Sequence, residues 1–234
     1  MRDERSPRAR AIGVVWLLYF LVAPVAVFLS KGLVHPNDAA ATANGIVAHE
    51  SAYRAAVAVD LIGNAVYIAL TALIYRLFAR VNLGLSTMAA FFSLAGCGVQ
   101  IFGGLLRLAP LVILKNASLQ HAFAPNQLQA AALLSLELYR QVFDISFVLF
   151  GLFELVLGYL IYRSMFLPRL LGIWLIGGGL GALTFLWPPL AHALWYLILA
   201  LGAGEAALML WLLVKGVDNS RWQESTGAEQ LAPT

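Results

Sequence analysis

The sequence predicts an all-α polytopic membrane protein, a bundle of six transmembrane helices with both termini in the cytoplasm. Hydrophobic residues occupy 61% of the 234 positions and charged residues only 12%, about half the charged share of an ordinary soluble domain. Six apolar runs are each long enough to cross a hydrocarbon core of ~30 Å, which takes about 20 helical residues. Basic residues gather on alternate connections: Arg2, Arg5, Arg8, Arg10, Arg76, Arg80, Arg163, Arg169, Lys215 and Arg221 on one side. The other side holds Lys31 and Lys115, with Arg54 and Arg140 at the margins. The positive-inside rule makes the first side cytoplasmic.

Residues 1–10 form a basic N-terminus ahead of the apolar run Ala11–Ser30. That run reads as a first span or a signal peptide, and its length favours an uncleaved span, since signal h-regions are shorter. Lys31–Ser51 reads as a polar outer loop with His35, Asp38, His49 and Glu50. The second span, about 52–77, carries Asp60, Asn64, Tyr67, Thr71 and Tyr75 at steps of four, three, four and four. Those steps draw a polar stripe down one helical face. In the third span, about 86–114, Ser93, Cys97, Gln100, Gly104 and Arg107 share a face, with Gly96 and Gly103 beside it. Such glycines let neighbouring backbones approach closely.

Lys115–Leu136 forms the second outer segment, where Asn126 and Gln129 after Pro125 signal a short amphipathic helix at the interface. It leads into the fourth span, Glu137–Arg163. There Glu137, Arg140, Asp144 and Glu154 fall with Phe147, Gly151 and Gly158 within about a third of the helix circumference. A basic turn through Pro168 opens the fifth span, 170–187. Pro188 and Pro189 break the chain, and His192 and Trp195 open a sixth span that ends near Val214. Residues 11–214 therefore read as one transmembrane domain, followed by a polar tail, 215–234, expected to be disordered. Leu73–Arg76 and Leu160–Arg163 repeat the same four residues at two membrane exits, a faint echo of a duplicated hairpin.

Charges at membrane depth cost at least ~2.5 kcal/mol each and are expected to face protein or a wet cavity, in pairs. Asp60, Arg107 and Asp144 each lie ~9 to 12 Å from the outer ends of their spans. An arginine between two aspartates satisfies its fork of donors, with Asn64 and Arg140 as further partners. One reading is a staple fixing helix order. The other is an outer-half pocket for a charged or zwitterionic ligand, formed by Asp60, Asn64, Arg107, Arg140 and Asp144. Nearer the cytoplasm, Glu154 and Glu205 match in depth with no basic residue at that level. Intramembrane acids of this kind relay protons in pumps and transporters.

No zinc-protease, nucleophile-elbow, phosphate-loop or dinucleotide motif is present. Ser93 and Cys97 are nucleophiles by type only, with no histidine in their layer. The four histidines fall on the outer side without ligand spacing, so no metal or cofactor is expected. The net charge of +3 resides at span ends and does not point to nucleic acid. The leading expectation is a protein that binds or transports a small polar ligand or lipid headgroup through the outer pocket, with the lipid bilayer as its constant partner. The alternative is a non-catalytic membrane partner or regulatory subunit, and an intramembrane enzyme comes third.

Asp38–Ala43, Tyr53–Arg54, Asp60–Leu61, Phe150–Leu152, Leu157–Leu160, Tyr162–Ser164 and Leu167–Gly172 together resemble a family of six-helix bacterial membrane proteins, domain of unknown function 4386. Ser93, where the family often begins its third span with arginine, and Glu154, near which a histidine often stands, depart from the pattern. The resemblance implies an integral protein of the bacterial inner membrane and supplies no catalytic residue, substrate or cofactor.

Overall fold

A computed structural model describes residues 7–218, 220 and 222. Its regular elements are all helical: α1 Pro7–Ser30, α2 Ala39–Ala48, α3 Glu50–Phe78, α4 Leu83–Lys115, α5 Ala117–Ala122, α6 Pro125–Arg163, α7 Arg169–Leu183, α8 Pro188–Ala193 and α9 Trp195–Val214. A 3₁₀ turn, Thr184–Leu186, follows α7. Six stretches are long and apolar enough to cross a membrane: Ala9–Ser30, Glu50–Phe78, Leu83–Lys115, Pro125–Arg163, Arg169–Leu186 and Trp195–Val214. The chain is an integral membrane protein.

Two local expectations change. The polar loop Lys31–Ser51 contains α2, because Asp38 caps it by accepting the Ala41 N–H at 2.8 Å. Thr42 then ties the helix back to His35, accepting its N–H at 2.8 Å and donating to its carbonyl at 2.9 Å. The boundary expected at Leu136 does not exist. No glycine or proline interrupts the chain between Pro125 and Gly151, so the interfacial helix and the fourth span form one helix of 39 residues. At ~1.5 Å per residue it is nearly twice the thickness of a hydrocarbon core. The polar tail falls mostly outside the described residues, as do residues 1–6.

Contacts within the chain group it into two compact units. One comprises Tyr19–Ala65 and Gly98–Asp144. Its core holds Leu33, Ile46, Tyr53, Leu111 and Leu136, so the α2 region packs inward on the long helices. The other takes the chain up to Leu18, Val66–Cys97 and Ile145 onward. Here α1 meets α9 at Gly13, where a Cβ would lie 2.6 Å from the Leu213 nitrogen. Within this second unit α6 and α7 meet through glycine. A Cβ on Gly151 would stand 2.9 Å from the Gly179 carbonyl oxygen, and one on Gly158 would stand 2.6 Å from that of Gly172. The glycines are seven apart on both helices and pair in reverse order, the signature of an antiparallel backbone contact.

Candidate functional site

Between the two glycine contacts, α6 presents Glu154. Its Oε2 is buried and has no hydrogen-bond partner. It fits there because α7 offers Gly178, where a Cβ would lie 2.6 Å from that oxygen. The Glu154 carboxyl faces that of Glu205 on α9. Tyr67 on α3 donates its hydroxyl to Glu205 Oε1 at 3.3 Å. The Tyr67 ring is held edge-on by Phe150 at 5.0 Å and Phe153 at 6.4 Å between centroids, which fixes where the hydroxyl points.

The chemistry of this centre follows from donor counting. An ionised carboxylate is an acceptor only. Two ionised carboxylates facing each other offer only acceptors, so each needs a donor or a cation from elsewhere. Tyr67 supplies one hydroxyl donor from α3, and the backbone of Gly178 on α7 lies against Glu154 Oε2.

The first unit contains a different kind of polar cluster. Arg107 on α4 is buried and forms an ion pair with Asp60 on α3 through its Nη1. Its Nη2 donates to Ser30 Oγ on α1 at 3.1 Å, and its guanidinium lies 5.6 Å from the centroid of Tyr139 on α6. Tyr53 of α3 donates its hydroxyl to the Arg107 carbonyl at 2.6 Å, close to the ladder gap left by Pro110. One arginine thus ties its own helix to three others.

Of the other members of the expected outer pocket, Asn64 and Arg140 have partners on their own helices. Asn64 donates to the Asp60 carbonyl of its own helix at 2.9 Å. Arg140 pairs with Glu137 at 2.9 Å on the exposed side of α6. Asp144 lies half-buried one turn beyond Arg140 on the same helix. Ser93 shares a 2.6 Å hydrogen bond with Thr71, and Thr71 donates to the Tyr67 carbonyl at 2.9 Å. Cys97 is a buried free thiol. Among the described residues no group of three or more His, Cys, Asp or Glu is placed to hold a metal.

Sequence reasoning had Tyr67 in the α3 stripe without its partner, and it passed over the α7 glycines. The signal was present: Gly172 and Gly179 repeat the seven-residue spacing of Gly151 and Gly158, and Gly178 adjoins one of them.

A family model described as Domain of unknown function (DUF4386) matches residues 11–216. The chain belongs to the DUF4386 family. The match takes in both polar clusters, so the carboxyl pair and the arginine clamp of this DUF4386 protein lie in the family region and not in an appended segment. No curated protein and no solved structure matches the chain.

Proposed function

We infer that this DUF4386 protein is a proton-coupled carrier of a small polar solute, with Glu154 and Glu205 as its proton-binding pair. The observation that carries the reading is Glu154, whose Oε2 is buried without a hydrogen-bond partner and whose carboxyl faces Glu205, both on membrane-spanning helices. A buried acid pair that favours a bound proton is able to release it when the helices part. Infrared spectroscopy of the protein in lipid tests this. The wild type is expected to show the C=O stretch of a protonated carboxyl, shifted in D₂O, and Glu154→Gln and Glu205→Gln are each expected to lose it. A wild-type spectrum without that band, or variants that retain it, would overturn the reading.

A second reading places a small polar ligand or a lipid headgroup on the Asp60–Arg107 cluster. It is supported by the uneven exposure of the pair: the Asp60 side chain is 33% exposed and that of Arg107 only 11%, so the carboxylate keeps an open edge. A compound that raises the melting temperature of the wild type and not of Asp60→Asn would establish this site. Both readings are consistent with a multi-pass protein of the bacterial inner membrane whose termini are cytoplasmic. The support is the placement of Arg76, Arg80, Arg163 and Arg169 at the connections that the positive-inside rule assigns to the cytoplasm.

A further inference from the structure

In the unit that holds the carboxyl pair, a groove of about 360 Å³ runs between α3 and α4. Ile68, Thr71, Ala72 and Tyr75 form one wall, and Thr87 and Phe91 belong to the other. The groove opens sideways, since Phe91 is 69% exposed on a helix that crosses the membrane. Its two threonine hydroxyls are already engaged. The Thr71 hydroxyl is bonded to Tyr67 and Ser93, and Thr87 donates to the Leu83 carbonyl at 2.8 Å. What remains is an apolar slot facing lipid, unsuited to a polar solute.

Length and charge say what fills it. Ile68 and Leu94 mark its deep end, each ~15 Å along its helix from the α3–α4 turn. That is about half the hydrocarbon thickness, the depth of one leaflet's acyl chains. At the shallow end the wall continues into a cation: Ile68, Ala72 and Arg76 follow one another at four-residue steps and so share a face of α3. Arg76 is exposed and has no ion-pair or hydrogen-bond partner among the described residues. By contrast Arg80 stacks over Trp222 at 4.4 Å and Arg169 over Tyr162 at 5.6 Å. The N-terminus of α4, with its partial positive charge, is at the same turn.

We propose that this groove is a binding site for an anionic phospholipid, one acyl chain lying between α3 and α4 and the phosphate headgroup at Arg76. The occupant belongs to the leaflet on the Arg76 side, and the site is separate from the proton-binding pair. A cation at the shallow end distinguishes it from the unspecific annulus of lipid around any spanning helix.

Native mass spectrometry of the protein released from nanodiscs tests it, with phosphatidylglycerol and phosphatidylcholine as probes. The wild type is expected to retain one phosphatidylglycerol in preference to phosphatidylcholine. Arg76→Gln is expected to reduce that preference about fivefold, the weight of one basic residue near an anionic surface, whereas Arg163→Gln leaves it unchanged. Ala72→Leu and Ala72→Trp fill the slot and are expected to abolish retention of either lipid. Both replace an exposed, lipid-facing residue, and size-exclusion chromatography checks their fold. Retention in both Ala72 variants, equal retention of the two lipids by the wild type, or an equal loss of preference in Arg163→Gln would each overturn the proposal. So would displacement by soluble glycerol phosphate, which would mark a headgroup site without the acyl groove.

Discussion

Gly178 of α7 and Glu154 of α6 fit together only because one has no side chain: a Cβ at Gly178 would lie 2.6 Å from Glu154 Oε2. The opposing carboxyl of Glu205 closes the other side. The acid pair is therefore sized by glycine backbone as well as by its own side chains.

Gly178→Ala is expected to lower stability by about 1 to 3 kcal/mol through overpacking. In the double variant with Glu154→Ala the carboxyl is gone, and most of that cost should disappear. Thermal unfolding in detergent, analysed as a double-mutant cycle, measures the coupling. Additive effects would show that the two residues do not oppose each other.

Glycines in the same fold should respond oppositely to the same change. Gly158 has the Gly172 carbonyl oxygen at 2.6 Å from any added Cβ, whereas nothing lies within 4 Å of one on Gly98. Gly158→Ala is expected to force α6 and α7 apart and melt early. Gly98→Ala, in the interior of α4, is expected to be neutral or to gain up to ~1 kcal/mol from helix propensity. Circular dichroism melts of the two variants side by side check the contrast.

Arg107→Gln should be costly, because it leaves Asp60 without its cation and Ser30 without a donor. Breaking a buried pair costs roughly 3 to 5 kcal/mol. Because Asp60 is one-third exposed, the lower part of that range or a little less is expected here. Asp60→Asn combined with Arg107→Gln should recover a good part of the loss, as measured by thermal or denaturant unfolding.

Arg140→Gln is expected to change stability by less than ~0.5 kcal/mol. Its partner Glu137 is three residues away on the same helix, and the two side chains are 63% and 39% exposed, the setting in which ion pairs contribute little. The same unfolding assay distinguishes this pair from the Arg107 clamp.

The polar stripe of α3 shows what periodicity conveys and where it stops. Asp60, Asn64, Tyr67, Thr71 and Tyr75 were legible as one face, and three of those side chains meet partners on other helices. Asp60 meets Arg107, Tyr67 meets Glu205, Thr71 meets Ser93, and the Tyr75 carbonyl accepts from Ser86 at 3.0 Å. Depth alone brought Asp60 to Arg107 and Glu154 to Glu205 as candidates for contact. Depth did not reveal that Arg140 turns to Glu137, because a local ion pair one turn away competes with any partner on another helix.

By itself the sequence determined the six spans and the polar faces of the second, third and fourth. These follow from hydrocarbon thickness and the 3.6-residue repeat, properties of one segment in a bilayer. Only the tertiary structure decided which faces meet: Ser30 joining Asp60 at Arg107, and Gly178 making room where Glu154 faces Glu205. Neighbour choice depends on how closely two backbones approach and on which distant donors find acceptors, and both are settled by packing between segments far apart in the chain.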